Sequence, residues 1–296
     1  MIKIDFPLAV LSQAELISNR CLVPVPPFIP EIPCSIEDPV FDQYWRIVRD
    51  WTYLDIYKAK SVWDLAMETA ALEGDFIECG CHLGGLGFLL AFFIRHHGLK
   101  KKVFLCDSFQ GMPEPDPVVD TFYRKGMLKS DLERCREFIA SHDLQSTAVV
   151  LPGWFEDTIP AFEDRQRFSL VHIDCDIYQS TLTCFENLYP KAVASAPVIM
   201  DDFYIPPAGE RTAAMQWISQ TEETLQMGPL SQVYFRKGVS VRDAEEWIVE
   251  DCDGIAISVK ELAQNRAYLA FLKGVQERLL QESENLARLR GVLESS

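Results

Sequence analysis

Residues 76–88 read FIECGCHLGGLGF, in which a short apolar strand runs into a glycine-bearing turn and the start of a helix. In an open α/β sheet such a turn lies outside the carboxyl end of its strand, where ligands bind and where glycines let a nucleotide approach the backbone. We expect Gly80, Gly84 and Gly85 to provide this close approach. The dinucleotide pattern G-x-G-x-x-G is absent and Glu78 lies at the end of the strand, so the sequence favours a cationic nucleoside cofactor over NAD.

Short apolar runs alternate with helical stretches along the chain after this segment. The predicted strands are 76–79, 103–106, 148–151, 169–173, 197–200, 232–235 and 254–259, and helices are predicted to end at 94 and to cover 131–141, 180–188 and 210–219. Alternating strands and helices form right-handed βαβ units, which build a parallel sheet covered on both faces. We therefore predict a doubly wound, mostly parallel, Rossmann-like α/β domain over residues 75–260.

The regions on either side of this domain have different compositions. Residues 1–74 are predicted as an N-terminal extension, with a proline-rich arm at 23–33 and covering helices within 44–72. Residues 261–296 are predicted as a helical tail with leucines at heptad spacing. Either this tail pairs with a second copy, giving a homodimer, or it lies on its own domain.

Composition excludes some classes of partner. The 296 residues include 28 Lys and Arg against 44 Asp and Glu, a net charge of −16 that would repel nucleic acid. No apolar run approaches the roughly 20 residues of a membrane span, and the first residues do not resemble a secretory signal, so we expect a cytoplasmic protein without a membrane partner.

Cysteine usage argues against both disulfides and zinc. The cysteines number nine, an odd count, and include no C-x-x-C pair, so a disulfide framework is not expected. Cys79, Cys81 and His82 lie close together in the sequence, but no second pair completes a zinc site.

The second predicted strand ends in the sequence CDSFQGMP, which places Asp107 and Ser108 at the same sheet edge as the glycine turn. An acidic residue at this position of such folds accepts hydrogen bonds from ribose hydroxyls. The same Asp-Ser pair is also common as a helix cap, so both interpretations remain open for these two residues.

Four carboxylates follow the fourth and fifth predicted strands, in the sequences HIDCDIY and VIMDDFY. They belong to Asp174, Asp176, Asp201 and Asp202, and the two strands should be neighbours. So much like charge in one place needs a cation, and hard oxygen ligands suit Mg²⁺. The alternative is a set of capping and turn residues with solvated charges.

Taken together, these stretches resemble the macrocin O-methyltransferase family, sugar-modifying enzymes of macrolide and aminocoumarin biosynthesis that depend on S-adenosylmethionine and magnesium. The matching stretches are FIECGCHLGG, CDSFQGMPEPD, GWFEDTIP, HIDCDIYQST, NLYPK and VIMDDFYIP, which cover roughly residues 75–220. One departure is Cys175, which replaces a glycine of the family pattern and bears on the fit of the substrate.

The resemblance implies a class I methyltransferase fold and assigns roles to individual residues. Glu78, Gly80 and Gly84 would surround the methionine part of the cofactor, Asp107 would contact the ribose, and Gly153 and Trp154 would lie near the adenine. Gly85 and Ser108 would also belong to the cofactor site. Asp174, Asp201 and Asp202 would be metal ligands, Asp174 would also contact the cofactor and serve catalysis, and Asp176 would be the general base. The implied activity is methyl transfer to a hydroxyl of a sugar or another vicinal diol.

Two other functions remain open from the sequence. The D-C-D sequence at 174–176 is similar to the D-x-D of metal-dependent glycosyltransferases, and a non-catalytic protein that binds the cofactor and assembles through its tail is a further alternative. Residues 112–130 are polar and proline-bearing, and they form either a lid over the substrate or a surface segment. In the same way, Arg124, Lys125 and Lys129 either contact an acidic group or are solvated.

Overall fold

The computed structural model describes residues 38–203, 209–221, 223–229, 231–239, 248–250 and 256–258. The described residues fall into two compact units. The larger contains residues 38–224 and 228–239, and the smaller contains 225–227, 248–250 and 256–258, each range apart from the gaps just given. The proline-rich arm and the C-terminal tail lie outside the described residues.

The strands of both units are numbered together in chain order. They are β1 (Asp75–Cys79), β2 (Val103–Asp107), β3 (Ala148–Pro152), β4 (Phe168–Ile173), β5 (Pro197–Met200), β6 (Gln226–Met227), β7 (Val233–Arg236), β8 (Ile248–Glu250) and β9 (Ala256–Ser258). In the smaller unit, β8 and β9 form an antiparallel pair, and β9 accounts for the strand predicted at 254–259.

The sheet of the larger unit follows the order β3-β2-β1-β4-β5-β7. The first five of these strands are parallel, and β7 runs antiparallel to β5. All six residues of β4 are buried, as expected for the centre of a sheet covered on both faces. The prediction of a doubly wound, mostly parallel α/β fold is confirmed.

Helices flank this sheet. They are α1 (Pro39–Val48), α2 (Ile56–Glu68), α3 (Gly85–His96), α4 (Leu132–Ser141), α5 (Phe155–Thr158), α6 (Tyr178–Leu188) and α7 (Gly209–Ile218), with short 3₁₀ turns at Arg49–Trp51 and Tyr189–Lys191. Asp38 caps α1 by accepting from the Phe41 N–H at 2.9 Å, and a proline follows at the first helical position. Among the described residues, none of these helices is long and apolar enough to cross a membrane.

An aromatic core joins α1 and α2 to the sheet domain. The Trp63 ring of α2 packs edge-on against Phe41 of α1 at 5.7 Å and against Phe93 of α3 at 4.9 Å. All three side chains are buried. The helices predicted within residues 44–72 therefore belong to the same compact unit as the sheet, whereas the sequence grouped them with the extension before residue 75.

The strand order reverses beside β1. The chain passes from β1 outward to β2 and β3, and then returns to β4 and β5 on the other side. In such sheets a crevice opens at this reversal, outside the carboxyl ends of the strands. The predicted functional residues follow these strand ends in the sequence.

Candidate active site

A cavity of about 350 Å³ opens at the carboxyl ends of β1, β2, β4 and β5. Its wall contains most of the residues predicted from the sequence, namely Glu78, Gly80, Asp107, Ser108, Gly153, Trp154, Asp174, Asp176, Asp201 and Asp202. Gly84 and Gly85 are absent from this wall. The structure therefore brings together the predicted cofactor and metal residues in one space.

The turn after β1 needs glycine at Gly80 and Gly84. Gly80 has a φ of +90°, and a Cβ there would lie 1.8 Å from the Asp174 carbonyl oxygen. Gly84 has a φ of +95° and caps the start of α3, where a Cβ would lie 2.5 Å from the Phe88 ring. Gly85 packs against the Trp51 backbone. Gly84 and Gly85 thus shape the turn from behind instead of lining the cavity as predicted.

Glu78 provides a buried carboxylate with an unpaired oxygen. The residue is 2% exposed, and Oε2 makes no hydrogen bond of good geometry with the described residues, although the Gly87 backbone lies close enough to the carboxylate to lower its pKa. Burial raises the pKa of Glu78 well above its ordinary value. A buried oxygen without a partner is rare in folded proteins. At the wall of a ligand-sized cavity, such an oxygen is expected when the carboxylate binds a donor or a cation of the ligand. This observation fits the ammonium group of a methionine-derived cofactor.

Asp107 fixes the two loops that form the cofactor side of the cavity. Its Oδ2 accepts from the His82 N–H at 2.9 Å, and its Oδ1 accepts from the Phe109 N–H at 2.6 Å. The second bond forms a local turn, and no helix begins in the described residues directly after Asp107, so the residue is not the helix cap of the alternative interpretation. Each carboxylate oxygen keeps a further lone pair for a ribose hydroxyl. Burial raises the pKa of Asp107. The neighbouring Ser108 hydroxyl donates to the Gly111 carbonyl at 2.8 Å.

Gly153 and Trp154 form the wall after β3. Gly153 has a φ of +147°, and Trp154 stands at the N-terminal end of α5. Both line the same cavity as Asp107. The resemblance assigns the adenine to these two residues, and that role stays a prediction.

Three carboxylates meet at the other end of the cavity. One oxygen from each of Asp174, Asp201 and Asp202 lies within 4.8 Å of the other two. They meet because β4 pairs with β5 in parallel, with Ile173 opposite Met200. The residues that follow the two strands therefore leave the sheet side by side. Three hard oxygen donors at this separation fit Mg²⁺, which commonly takes a few carboxylates and leaves positions for other oxygens.

Lys58 of α2 reaches these acids from outside the strands. Its ammonium lies 2.7 Å from Asp201 Oδ2 and 2.8 Å from Asp202 Oδ1. Burial alone would lower the pKa of Lys58, but the two carboxylates outweigh burial and raise it above its ordinary value. The sequence analysis missed this residue because nothing near it in the sequence points to the strand ends.

Further contacts hold Asp201 in place. Asp201 Oδ1 accepts from Gln232 Nε2 at 3.0 Å and lies 3.4 Å from Nε2 of the buried His172. The Ser231 hydroxyl donates to the Asp201 carbonyl at 2.8 Å. Burial alone would raise the pKa of Asp201, yet Lys58 and His172 hold it below its ordinary value.

Asp176 lies beside this cluster and has an unusual backbone. Its φ is +61°, in the left-handed region that Asp and Asn tolerate better than most residues. The Tyr123 hydroxyl donates to Asp176 Oδ1 at 2.5 Å. Burial, with the charges of Asp202 and Asp201, raises the pKa of Asp176 to about 7, against the lowering effect of the Tyr123 hydrogen bond. A carboxylate with a raised pKa beside a cation site has the properties of a general base.

Tyr123 belongs to the segment 112–130, which is fastened over the site. The buried Asp120 accepts from the Tyr178 N–H at the start of α6 at 3.0 Å and from the Asp116 N–H at 2.9 Å. We call Asp120 and these two donors the latch. Arg124, Lys125 and Lys129 are exposed. Proline and polar residues suggested a lid, but no sequence pattern pointed to the roles of Asp120 and Tyr123.

Known structures share this architecture. The O-methyltransferase NovP superposes with a TM-score of 0.58 at 26% identity, over 63% of this chain and 81% of that chain. A calicheamicin methyltransferase, CalS11, superposes with a TM-score of 0.56 at 18% identity, over 79% of this chain and 95% of that chain. With the strand order and the cavity at the reversal, this likeness defines the fold as that of class I methyltransferases.

The family can be stated more closely. The Macrocin-O-methyltransferase (TylF) family model matches residues 61–237, and the chain belongs to this family. The resemblance inferred from the sequence is thereby confirmed.

Curated relatives match over part of their length. The 8-demethyl-8-(2,3-dimethoxy-alpha-L-rhamnosyl)-tetracenomycin-C 4'-O-methyltransferase of Streptomyces olivaceus is 36% identical over 143 residues, 45% of this chain and 54% of that protein. The demethyldecarbamoylnovobiocin O-methyltransferase of Streptomyces niveus is 32% identical over 145 residues, 46% of this chain and 55% of that protein. The chain thus matches about half the length of these relatives.

Proposed function

We propose that this protein is an S-adenosylmethionine-dependent and Mg²⁺-dependent O-methyltransferase that acts on a hydroxyl of a sugar or another vicinal diol in natural-product biosynthesis. The observation that carries the proposal is the sharing of one cavity by the unpaired Glu78 oxygen and the Asp174, Asp201 and Asp202 cluster. Such a cavity can hold a cationic methyl donor beside a metal-bound acceptor.

The cofactor side of the proposal rests on four residues. Glu78 would receive the ammonium of the donor, Asp107 the ribose hydroxyls, and Gly153 with Trp154 the adenine. When bound, S-adenosylmethionine supplies a methyl group on a sulfonium sulfur. The wall residues would hold the donor in one place, and such fixed placement can supply a large part of the acceleration of a displacement reaction.

The acceptor side rests on the acids. Asp174, Asp201 and Asp202 would hold Mg²⁺, which would supply a Lewis acid for the acceptor hydroxyl. Asp176 takes the proton of the acceptor hydroxyl, and Tyr123 orients its carboxylate. The pKa of about 7 suits Asp176 to this role near neutral pH.

The acceptor class rests on the relatives. The name of the Streptomyces olivaceus relative specifies methyl transfer to a rhamnosyl-bearing compound. We propose a sugar hydroxyl as the acceptor for this chain as well, because the chain belongs to the same family. We also keep as proposals a cytoplasmic location and a homodimer formed through the tail.

The test follows labelled methyl from the donor into glycosylated acceptors, with labelled sugar nucleotide as the competing donor. Transfer of methyl, stopped by a chelator and restored by Mg²⁺, is the expected result. Asp176→Asn should lower kcat by about 10²–10⁴-fold because the base is lost. Asp131→Asn is the matched control, since Asp131 caps α4 and Asn caps helices equally well. Full turnover by Asp176→Asn, full turnover in excess chelator, or transfer of sugar instead of methyl would contradict the proposal.

A further inference from the structure

Lys58 occupies a position that the proposed reaction leaves unexplained. It lies on α2, 143 residues before Asp201, and its side chain is 8% exposed. Its ammonium contacts Asp201 Oδ2 and Asp202 Oδ1, two of the three carboxylates expected to hold the divalent ion. A buried cation thus already pairs with the ligands of the proposed metal.

The charges at this end of the cavity show what such a cation does. Asp174, Asp176, Asp201 and Asp202 all line the cavity. Without a counter-charge, so many acids at short range would repel each other and separate, or take up protons. Lys58 offsets this repulsion at Asp201 and Asp202, and it does so whether or not a divalent ion is present.

The same ammonium opposes the binding of another cation. A divalent ion held by Asp174, Asp201 and Asp202 would share two of its ligands with Lys58 and would lie a few ångströms from a like charge. The repulsion between such charges inside a protein is large compared with that between surface charges. An enzyme selected only for tight metal binding would have no use for a lysine at this position.

We propose that Lys58 is an internal cation that shares Asp201 and Asp202 with the divalent ion, keeps the ligands assembled without the ion, and weakens binding of the ion. Lys58 is thus a positioning residue that sets the metal affinity of the site. This inference rests on the proposed metal dependence, and it goes further by assigning a residue that controls the affinity.

The test measures Mn²⁺ binding to the chelator-stripped full chain, by calorimetry and by electron paramagnetic resonance of free Mn²⁺. Lys58→Met removes the charge and keeps most of the side-chain volume, whereas Lys58→Arg keeps the charge. Lys60→Met is the matched control, because Lys60 lies on the same helix and pairs with Asp38 and Asp64 instead. We expect Lys58→Met to lower the Kd for Mn²⁺ by about tenfold or more. Lys60→Met should stay within about threefold of the wild type, because ion pairs near the surface contribute little. Lys58→Arg should also stay within about threefold, because it keeps a positive charge beside Asp201 and Asp202.

Thermal unfolding separates this role from a purely structural one. We expect Lys58→Met to unfold at a lower temperature than the wild type in chelator, and to recover most of the difference in Mn²⁺, because the ion takes over the neutralisation of the acids. A lysine that only supports the fold would lower the Tm equally in both conditions and leave the Kd unchanged.

Two failures can be told apart. If the wild type binds Mn²⁺ and Lys58→Met binds it equally or more weakly, the role of Lys58 is wrong and the proposed function stands. If neither protein binds Mn²⁺, and methyl transfer proceeds in chelator, the metal dependence itself is wrong and the role of Lys58 falls with it.

Discussion

At the scale of single residues, the hydrogen bond from Tyr123 to Asp176 has a measurable consequence. A donor on a carboxylate favours its charged form and lowers its pKa, and Tyr123 does this for the proposed base. The bond therefore opposes the effect of burial, which alone would keep Asp176 protonated to higher pH.

Tyr123→Phe should move the acid limb of the pH profile of kcat/KM to higher pH. Loss of the hydroxyl raises the pKa of Asp176, so the base becomes protonated at a pH where the wild type is still active. The measurement is kcat/KM from pH 5 to 9, a range that brackets the value of about 7. Tyr53→Phe is the control, because Tyr53 lines the same cavity but stacks on His82 at 5.0 Å. If the acid limb of the profile does not move, Tyr123 does not influence the pKa of the base.

The residues that the sequence predicted and those it missed differ in a physical way. Asp174, Asp201 and Asp202 follow buried strands, and the rule that parallel strands end at one edge is enough to bring them together. Lys58 enters from a helix, so its contact depends on how α2 packs, which no local pattern encodes. Gly84 and Gly85 were also predicted at the site but are not part of the cavity wall, because a glycine-rich turn does not reveal which of its glycines line a cavity.

At the scale of elements, the latch ties the 112–130 segment to the start of α6. The buried Asp120 carboxylate accepts from Asp116 within its own segment and from Tyr178 at the start of α6, so it holds the segment and the helix at a fixed distance. The same segment carries Tyr123, so the latch also determines where the hydroxyl meets Asp176.

Asp120→Ala should open this segment to protease. Hydrogen bonds to a charged group are worth about 1.5–3 kcal/mol each, so their loss should speed trypsin cleavage by about tenfold or more. The exposed Arg124 and Lys125 supply the cleavage sites. Mass spectrometry of the fragments over time gives the rate, and Glu114→Ala, an exposed carboxylate of the same segment, is the control. Equal rates in the two variants would mean that the latch does not hold the segment.

The sequence predicts the bounds of helices and strands well where burial of apolar residues determines those bounds. Strands β1 to β5 are apolar runs bounded by polar turns, and the predicted bounds agree with the structure to within one or two residues. The break between α1 and α2 was not predicted, because apolar spacing continues across the 3₁₀ turn at Arg49–Trp51. Capping by Asp38 and Asp55 marks where each helix begins.

At the scale of the whole molecule, the wall of the cavity joins distant parts of the chain. Its residues range from Thr52 to Asp202, and Ser231 and Gln232 support it from beyond β5. A ligand that contacts several such segments stabilises the folded state of the larger unit as a whole.

S-adenosylmethionine should therefore raise the unfolding temperature. At a ligand concentration of 100 times Kd, the free energy of unfolding rises by about 2.7 kcal/mol, which corresponds to a Tm increase of roughly 5–10 °C for a domain of this size. Differential scanning calorimetry measures the shift, and L-methionine, which lacks the nucleoside, is the control ligand. The absence of any shift at millimolar cofactor would count against the cofactor site.

The arrangement of the core also determines how short a working version of this protein can be. A cloning boundary chosen where the βα alternation starts, near residue 75, would cut away Lys58 and leave the Phe93 ring without Trp63. The smallest expression fragment that keeps both the aromatic packing and the lysine has to begin upstream of Asp38 and extend past Gln232. A fragment chosen only to include the strands of the sheet would form a Rossmann-like sheet with an incomplete pocket.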